Sequence, residues 1–166
     1  MGKGCRKGND NVYFRCRKDA AEKNDRLSSR EGASELIGVS ESTLADYELG
    51  VTKVVPVDKV VLMADLYHCP ELKNHYCKNE CPIGKDLPIA TEAKGIQGVT
   101  IQILNEFNAR RVAMFGDKLL EIAQDGVVDM EECGALMCIA GWANDMEFAL
   151  NQLRLTINKI MGDGND

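Results

Sequence analysis

With 166 residues, 45% of them hydrophobic and 5% aromatic, the chain is long enough for one ordinary domain or two small ones and apolar enough to pack a core, which argues against disorder. No run of about 18 apolar residues is present, which argues against a membrane-spanning helix. The net charge of −6 counts against DNA binding, because duplex DNA attracts cations and DNA-binding domains are usually basic.

The charge is unevenly spread. Residues 1–30 hold nine Lys/Arg against four Asp/Glu, a net of +5, and the remainder holds 11 against 22, a net of −11. A basic arm on an acidic body is compatible with nucleic-acid contact at one end, and clustered solvated charge gives the same split. The opening MGKGCRKGND has no apolar stretch of the kind a secretion signal needs, and Arg6 stands where a myristoylation pattern requires Ser or Thr. A cytoplasmic protein is expected. Seven cysteines, an odd number without an export signal, read as mostly reduced thiols. Short β-branched runs and an abundance of Ala, Leu, Glu and Lys predict an all-α fold.

A first helix is predicted over 11–23, where Val12, Cys16 and Ala20 recur at i, i+4, i+8 and Arg15, Arg17, Lys18 and Arg26 form a basic side. The stretch 28–50, SSREGASELIGVSESTLADYELG, predicts helix, tight turn, helix. Ser28 and Glu31 have the spacing of a capping box, and Ala33, Leu36 and Ile37 share one side. Gly38 sits where the chain must reverse without a Cβ penalty, and Ser40 offers a hydroxyl to the first amides of the second helix. Leu44 and Tyr47 face inward, which leaves Glu41, Ser42, Thr43 and Asp46 pointing out.

This stretch resembles the helix-turn-helix of the Cro/lambda-repressor (XRE) family. The match is closest over GVSESTLADYELG, where the glycine, serine cap, Leu44, Glu48 and Gly50 fall at family spacing, while Ser34 stands where alanine is usual. With flanking helices the resemblance covers residues 10–76. It implies a five-helix lambda-repressor-like DNA-binding domain. Base edges would then be met by Glu41, Ser42 and Asp46, and the DNA backbone by Arg30, Ser40, Thr43, Thr52 and Lys53. Arg30 would lie at a helix amino end, where amides also favour phosphate. Glu48 is read as structural, facing the bundle. The family usually carries amides or cations where Glu41 and Asp46 stand, so a protein-binding adaptor on the same fold is the competing reading.

A fourth helix is predicted behind Pro56, with Val57, Val60, Val61 and Ala64 as its apolar stripe, and a short fifth behind Pro70. Residues 77–95, with two prolines and two glycines, read as a linker. Residues 96–161 predict a long two-helix antiparallel hairpin. Its first helix covers 96–124 with a phase break near Arg110–Arg111, and its second covers 130–161. Along the second, Leu136, Ile139, Ala143, Met146, Leu150, Leu153, Ile157 and Ile160 alternate by three and four, a heptad seam about three and a half repeats long. Two such hairpins packed as a four-helix bundle would make a homodimer; folding back on the same chain would cover the seam equally.

Cys69, Cys77 and Cys81, with His68 and His75, could supply zinc ligands, but the spacing lacks a paired C-x2-C knuckle, so no metal and no cofactor is expected. Cys133 and Cys138 read as core residues. The turn DGVVDMEE matches only the second half of a calcium loop, and Asp129 with Glu132 reads better as a capping box. No nucleophile elbow, phosphate loop or metalloprotease helix occurs, so an enzyme is not expected. The partners expected are double-stranded DNA and a second copy of the chain, with no membrane.

Overall fold

The computed structural model describes residues 11–124 and 126–163; among them the fold is all-helical, without a strand. The chain divides into two compact units, Met1–Leu87 with Asn158–Asp166 and, separately, Pro88–Ile157.

The first unit begins with α1 (Val12–Ala20), capped by Asn11, whose side chain accepts from the amide of Tyr13. Its inward face carries Val12, Tyr13 and Cys16, and Arg17 with them. A 3₁₀ turn (Asp25–Leu27) leads into α2 (Arg30–Ile37). The cap of α2 is Ser29, not Ser28: Ser29 Oγ accepts from Gly32 N at 3.1 Å. Ser28 ends the 3₁₀ turn with φ −65° and ψ −35°, a helical rather than an extended backbone, and its hydroxyl donates to the carbonyl of Asp25 at 2.6 Å. Gly38 ends α2 at φ +70°, and Ser40 caps α3 (Glu41–Glu48) by accepting from Thr43 N at 3.1 Å. Then come α4 (Val57–Leu66) behind Pro56 and α5 (Glu71–His75) behind Pro70, the latter continuing into a π-helical turn, Tyr76–Glu80.

These helices enclose one core around Leu27, Ala33, Ile37, Leu44, Val60, Met63 and Leu72. The stripe of α4 differs from the one expected. Val60, Met63 and Ala64 are buried, while Val61, about 100° round the helix from Val60, and Val57, the first residue of the helix, are exposed.

The second unit contains α6 (Ile96–Glu106), α7 (Ala109–Ile122) and the body of α8 (Met130–Asp163). The single helix expected over 96–124 is two. Phe107 leaves helical geometry at ψ +27°, and Asn108 starts α7 by accepting from the amides of Arg110 and Arg111 at 3.0 and 3.4 Å. Trp142 on α8 donates its indole N–H to the carbonyl of Glu106 at 3.1 Å, next to the break, and its ring lies 4.8 Å from that of Phe115. α8 opens with the expected capping box: Asp129 Oδ1 accepts from Glu131 N and Glu132 N, both at 2.8 Å, and Glu132 Oε2 accepts from Asp129 N at 3.0 Å. Asp125, where the match to the second half of a calcium loop begins, lies outside the described residues.

The seam of α8 is also displaced from expectation. The buried side chains are Ile139, Trp142, Ala149, Gln152, Leu155 and Thr156, whereas Leu150 is 48% exposed and Ile157 and Ile160 are exposed too. The cause is the segment read as a linker. After a 3₁₀ turn (Gly84–Asp86) it runs along α8, and extended backbone needs hydrogen-bond partners when covered. Asn151 Oδ1 accepts from Ala90 N at 2.9 Å, Gln152 Nε2 donates to Glu92 O at 2.6 Å, and Thr156 Oγ1 donates to Lys94 O at 3.1 Å. The polar flank of α8 is therefore inside, and part of the aliphatic seam faces out.

Candidate nucleic-acid interface

The turn at Gly38 presents α3 on the surface of the first unit. Leu44, Tyr47 and Glu48 anchor it inward; Glu41, Ser42 and Asp46 are exposed, and Thr43 is half-buried. At its amino end three hydroxyls cluster: Ser40 Oγ lies 2.9 Å from Ser42 Oγ and 2.7 Å from Thr43 Oγ1. At its carboxy end the carbonyl of Asp46 accepts from Val51 N and Thr52 N at 2.9 and 3.3 Å, and Gly50 turns the chain at φ +70°. Thr52 is half-buried there and Lys53 is exposed.

Glu48 is fully buried and is the electrostatic centre of the unit. Arg17, only 2% exposed, meets it with both arms, Nε to Oε1 at 2.5 Å and Nη2 to Oε2 at 3.0 Å, and donates Nη1 to the carbonyls of Leu27 and Ser28 at 2.8 and 3.3 Å. Arg30 adds Nε to Oε2 at 2.7 Å. A buried carboxylate is tolerated only when paired and hydrogen-bonded, and here two guanidiniums from α1 and α2 do this for α3. Arg17 is therefore not on the basic side of α1, where the sequence reading put it. Arg30 does stand at the first position of α2, as expected, but its guanidinium is engaged with Glu48, and its side chain is about a third exposed.

A cation the sequence reading missed is Lys59, whose Nζ donates to the carbonyls of Ile37 and Gly38 at 3.1 and 3.4 Å, closing the end of α2. Glu80 was missed as well. Its Oε1 accepts from Tyr13 OH at 2.6 Å and its Oε2 from Val55 N at 2.7 Å, so one carboxylate joins α1, the loop before α4 and the π-helical turn. Burial first, and Glu80 second, push the Tyr13 phenol far above its ordinary range. His75, whose ring meets Tyr13 edge-on, is pushed down, first by burial, with Arg15 adding and Glu80 opposing. Tyr67 is buried with its hydroxyl unpartnered, and burial raises its pKa, with Glu48 adding and Arg17 opposing.

The cysteines are arranged differently from expectation. Cys16 and Cys69 form a disulfide in the core, with Cα atoms 6.0 Å apart. Cys69 is thus not grouped with Cys77 and Cys81, which are free thiols, and no cluster of three metal-ligating residues occurs among the described residues. Cys133 and Cys138 are exposed rather than core residues. No helix among the described residues is long and apolar enough to cross a membrane. No family model, no curated protein and no solved structure matches the chain.

Proposed function

We propose that the protein is a sequence-specific DNA-binding regulator of transcription, cytoplasmic, with α1 to α5 as a lambda-repressor-like domain and the carboxy-terminal helices joining two copies. The observation that carries this reading is the α2–Gly38–α3 corner. It holds a capped helix outward by its amino half, with Glu41, Ser42 and Asp46 exposed for base edges and Lys53, exposed in the loop that follows α3, for phosphate. The base-reading set is Glu41, Ser42 and Asp46, with carboxylates suited to accept from cytosine N4. The backbone set is Arg30, Ser40, Thr43, Thr52 and Lys53.

Selection from random duplexes at low salt tests it directly. Bound sequences should share a motif, and affinity should fall steeply as salt rises. Lys53→Ala should weaken binding across all sequences and reduce the salt slope by about one, whereas Ser42→Ala should change the preferred base at a cost of roughly 1–3 kcal/mol.

A protein-binding adaptor is the second reading. It is favoured by the two exposed carboxylates of α3 and by the exposed Leu49, Val51, Val54 and Val57 that follow them in the chain, an acidic and apolar combination suited to a basic amphipathic helix. Failure of every duplex to bind above a charge-matched control at low salt would favour it.

A further inference from the structure

The disulfide has an unusual setting for a structural cross-link. Cys16 and Cys69 are nearly buried, yet both line a cavity of about 370 Å³ in the first unit, between α1, the 3₁₀ turn and the end of α4. Lys23, His68, Lys159 and Asp19 line the same cavity; Lys159 Nζ donates to Glu71 Oε1 at 2.5 Å, and the other carboxylate oxygen of Glu71 lies 3.5 Å from Cys69 Sγ, so the charged group against that sulfur is a carboxylate. The cavity gives an incoming sulfur compound room to reach the two sulfurs. The corner itself is unusual: His68, one residue before Cys69, is held at φ +51° without being glycine.

The covalent neighbour of Cys16 is Arg17, which grips Glu48 of α3 with both arms. Where the sulfur bond fixes α1 against the α4–α5 corner, it also fixes the helix from which α3 is held.

We infer that Cys16 and Cys69 form a reversible thiol–disulfide exchange site for low-molecular-weight disulfides, and that its oxidation state sets how firmly α1 holds α3. In the oxidising direction one thiolate attacks a sulfur of the external disulfide and releases one small thiolate. The second cysteine, as thiolate, then attacks the protein sulfur of the mixed disulfide and releases the other. Two protein thiols are oxidised, one external disulfide is reduced to two thiols, and the protons of the two cysteines end on the released thiolates. In the reducing direction an external dithiol reverses both steps. The inference stands apart from the DNA-binding reading and uses no DNA in its test.

Full-length protein is equilibrated in glutathione buffers running from fully reduced to fully oxidised, quenched with an alkylating agent, and mapped by peptide mass. Amide hydrogen exchange is followed in the same samples. Cys16 and Cys69 should lose alkylation together as the buffer becomes oxidising, without a retained glutathione adduct, while Cys77 and Cys81 stay alkylated. Amides of α3 should exchange at least about tenfold more slowly in the oxidised form. Three results would overturn the inference: a Cys16–Cys69 bond that persists in the most reducing buffer, both residues alkylated in every buffer, or α3 exchange equal in the two states. The Cys16→Ala/Cys69→Ala variant should show no redox dependence in α3. If the variant keeps that dependence, the effect belongs to other cysteines and the inference fails. If it does not fold, the wild-type mapping and exchange decide.

Discussion

Removing half of a buried ion pair is more damaging than removing all of it, and Glu48 is the place where this protein should show it. Arg17→Met leaves a fully buried carboxylate with Arg30 alone, and should cost about 3–5 kcal/mol in urea unfolding followed by far-UV circular dichroism. Arg17→Met combined with Glu48→Leu should recover much of that loss. Protonation adds a second prediction. The folded pKa of His75 lies below its ordinary 6.5, so the folded state binds fewer protons than the unfolded one as pH falls through that value. The stability linked to this residue is complete above pH 6.5 and diminishes as pH drops toward the folded pKa. The pH–stability curve of His75→Gln should lack that acid limb. Tyr13 acts at the other end: its raised phenol keeps its contribution below its ordinary pKa of 10.0, and loses it as pH rises beyond. At this scale the sequence was half legible. The resemblance to a helix-turn-helix put Glu48 facing the bundle. Arg17 follows Cys16 on the same inward arc, but its charge outweighed its position, and nothing in the sequence shows that a carboxylate waits opposite.

Helix ends were more legible than helix faces. Ser40 and Asp129 are caps because each precedes a periodic run and has an amide within reach, and both spacings were readable. Ser28 misled because two serines stand together, and only the 3₁₀ turn before them decides which is free to cap α2. The α6–α7 break was visible as a phase change at Arg110–Arg111, but its cause is two residues earlier, in Asn108. Asn108→Ala should therefore cost about 1 kcal/mol in thermal unfolding. The face of α8 could not be read from α8 alone. A heptad seam was the strongest apolar signal in the chain, yet Gln152 and Thr156 face inward because the backbone at Glu92 and Lys94 needs donors, and that pairing spans about sixty residues. Gly134 and Gly141, which have open space around them within α8, should tolerate alanine with a gain of roughly 0.5–1 kcal/mol each.

For the whole molecule, the displaced seam sharpens the test of self-association. Leu150 is about half exposed, so Leu150→Glu should leave the helical content intact while turning a dimer into a monomer in sedimentation at tens of micromolar. Ala149, fully buried one residue earlier, should not accept the same change, and Ala149→Glu should unfold the second unit. Equal mass for wild type and Leu150→Glu would place any pairing elsewhere. The all-helical class and the turn of α2 and α3 were readable because both rest on local signals. The disulfide was not: its partners are 53 residues apart, and reading the chain as lacking an export signal pointed to thiols. A closure of that length lowers the entropy of the unfolded chain by an amount equivalent to about 4 kcal/mol, so reduction should lower the unfolding midpoint measurably.

Trp142 has an optical consequence. It is the only tryptophan in the chain, and the four tyrosines, Tyr13, Tyr47, Tyr67 and Tyr76, all precede residue 88. Light at the red edge of the absorption band, which tyrosine does not take up, therefore interrogates the second unit alone. The indole is nearly buried, beside Phe115 and bonded to the carbonyl of Glu106, so its emission should shift to longer wavelength when that junction opens. Tyrosine emission, read in a Trp142→Phe variant, would follow the first unit. Two fluorophores separated this cleanly allow the melting of each half to be recorded without labels and without cutting the chain, one half in the wild type and the other in the variant.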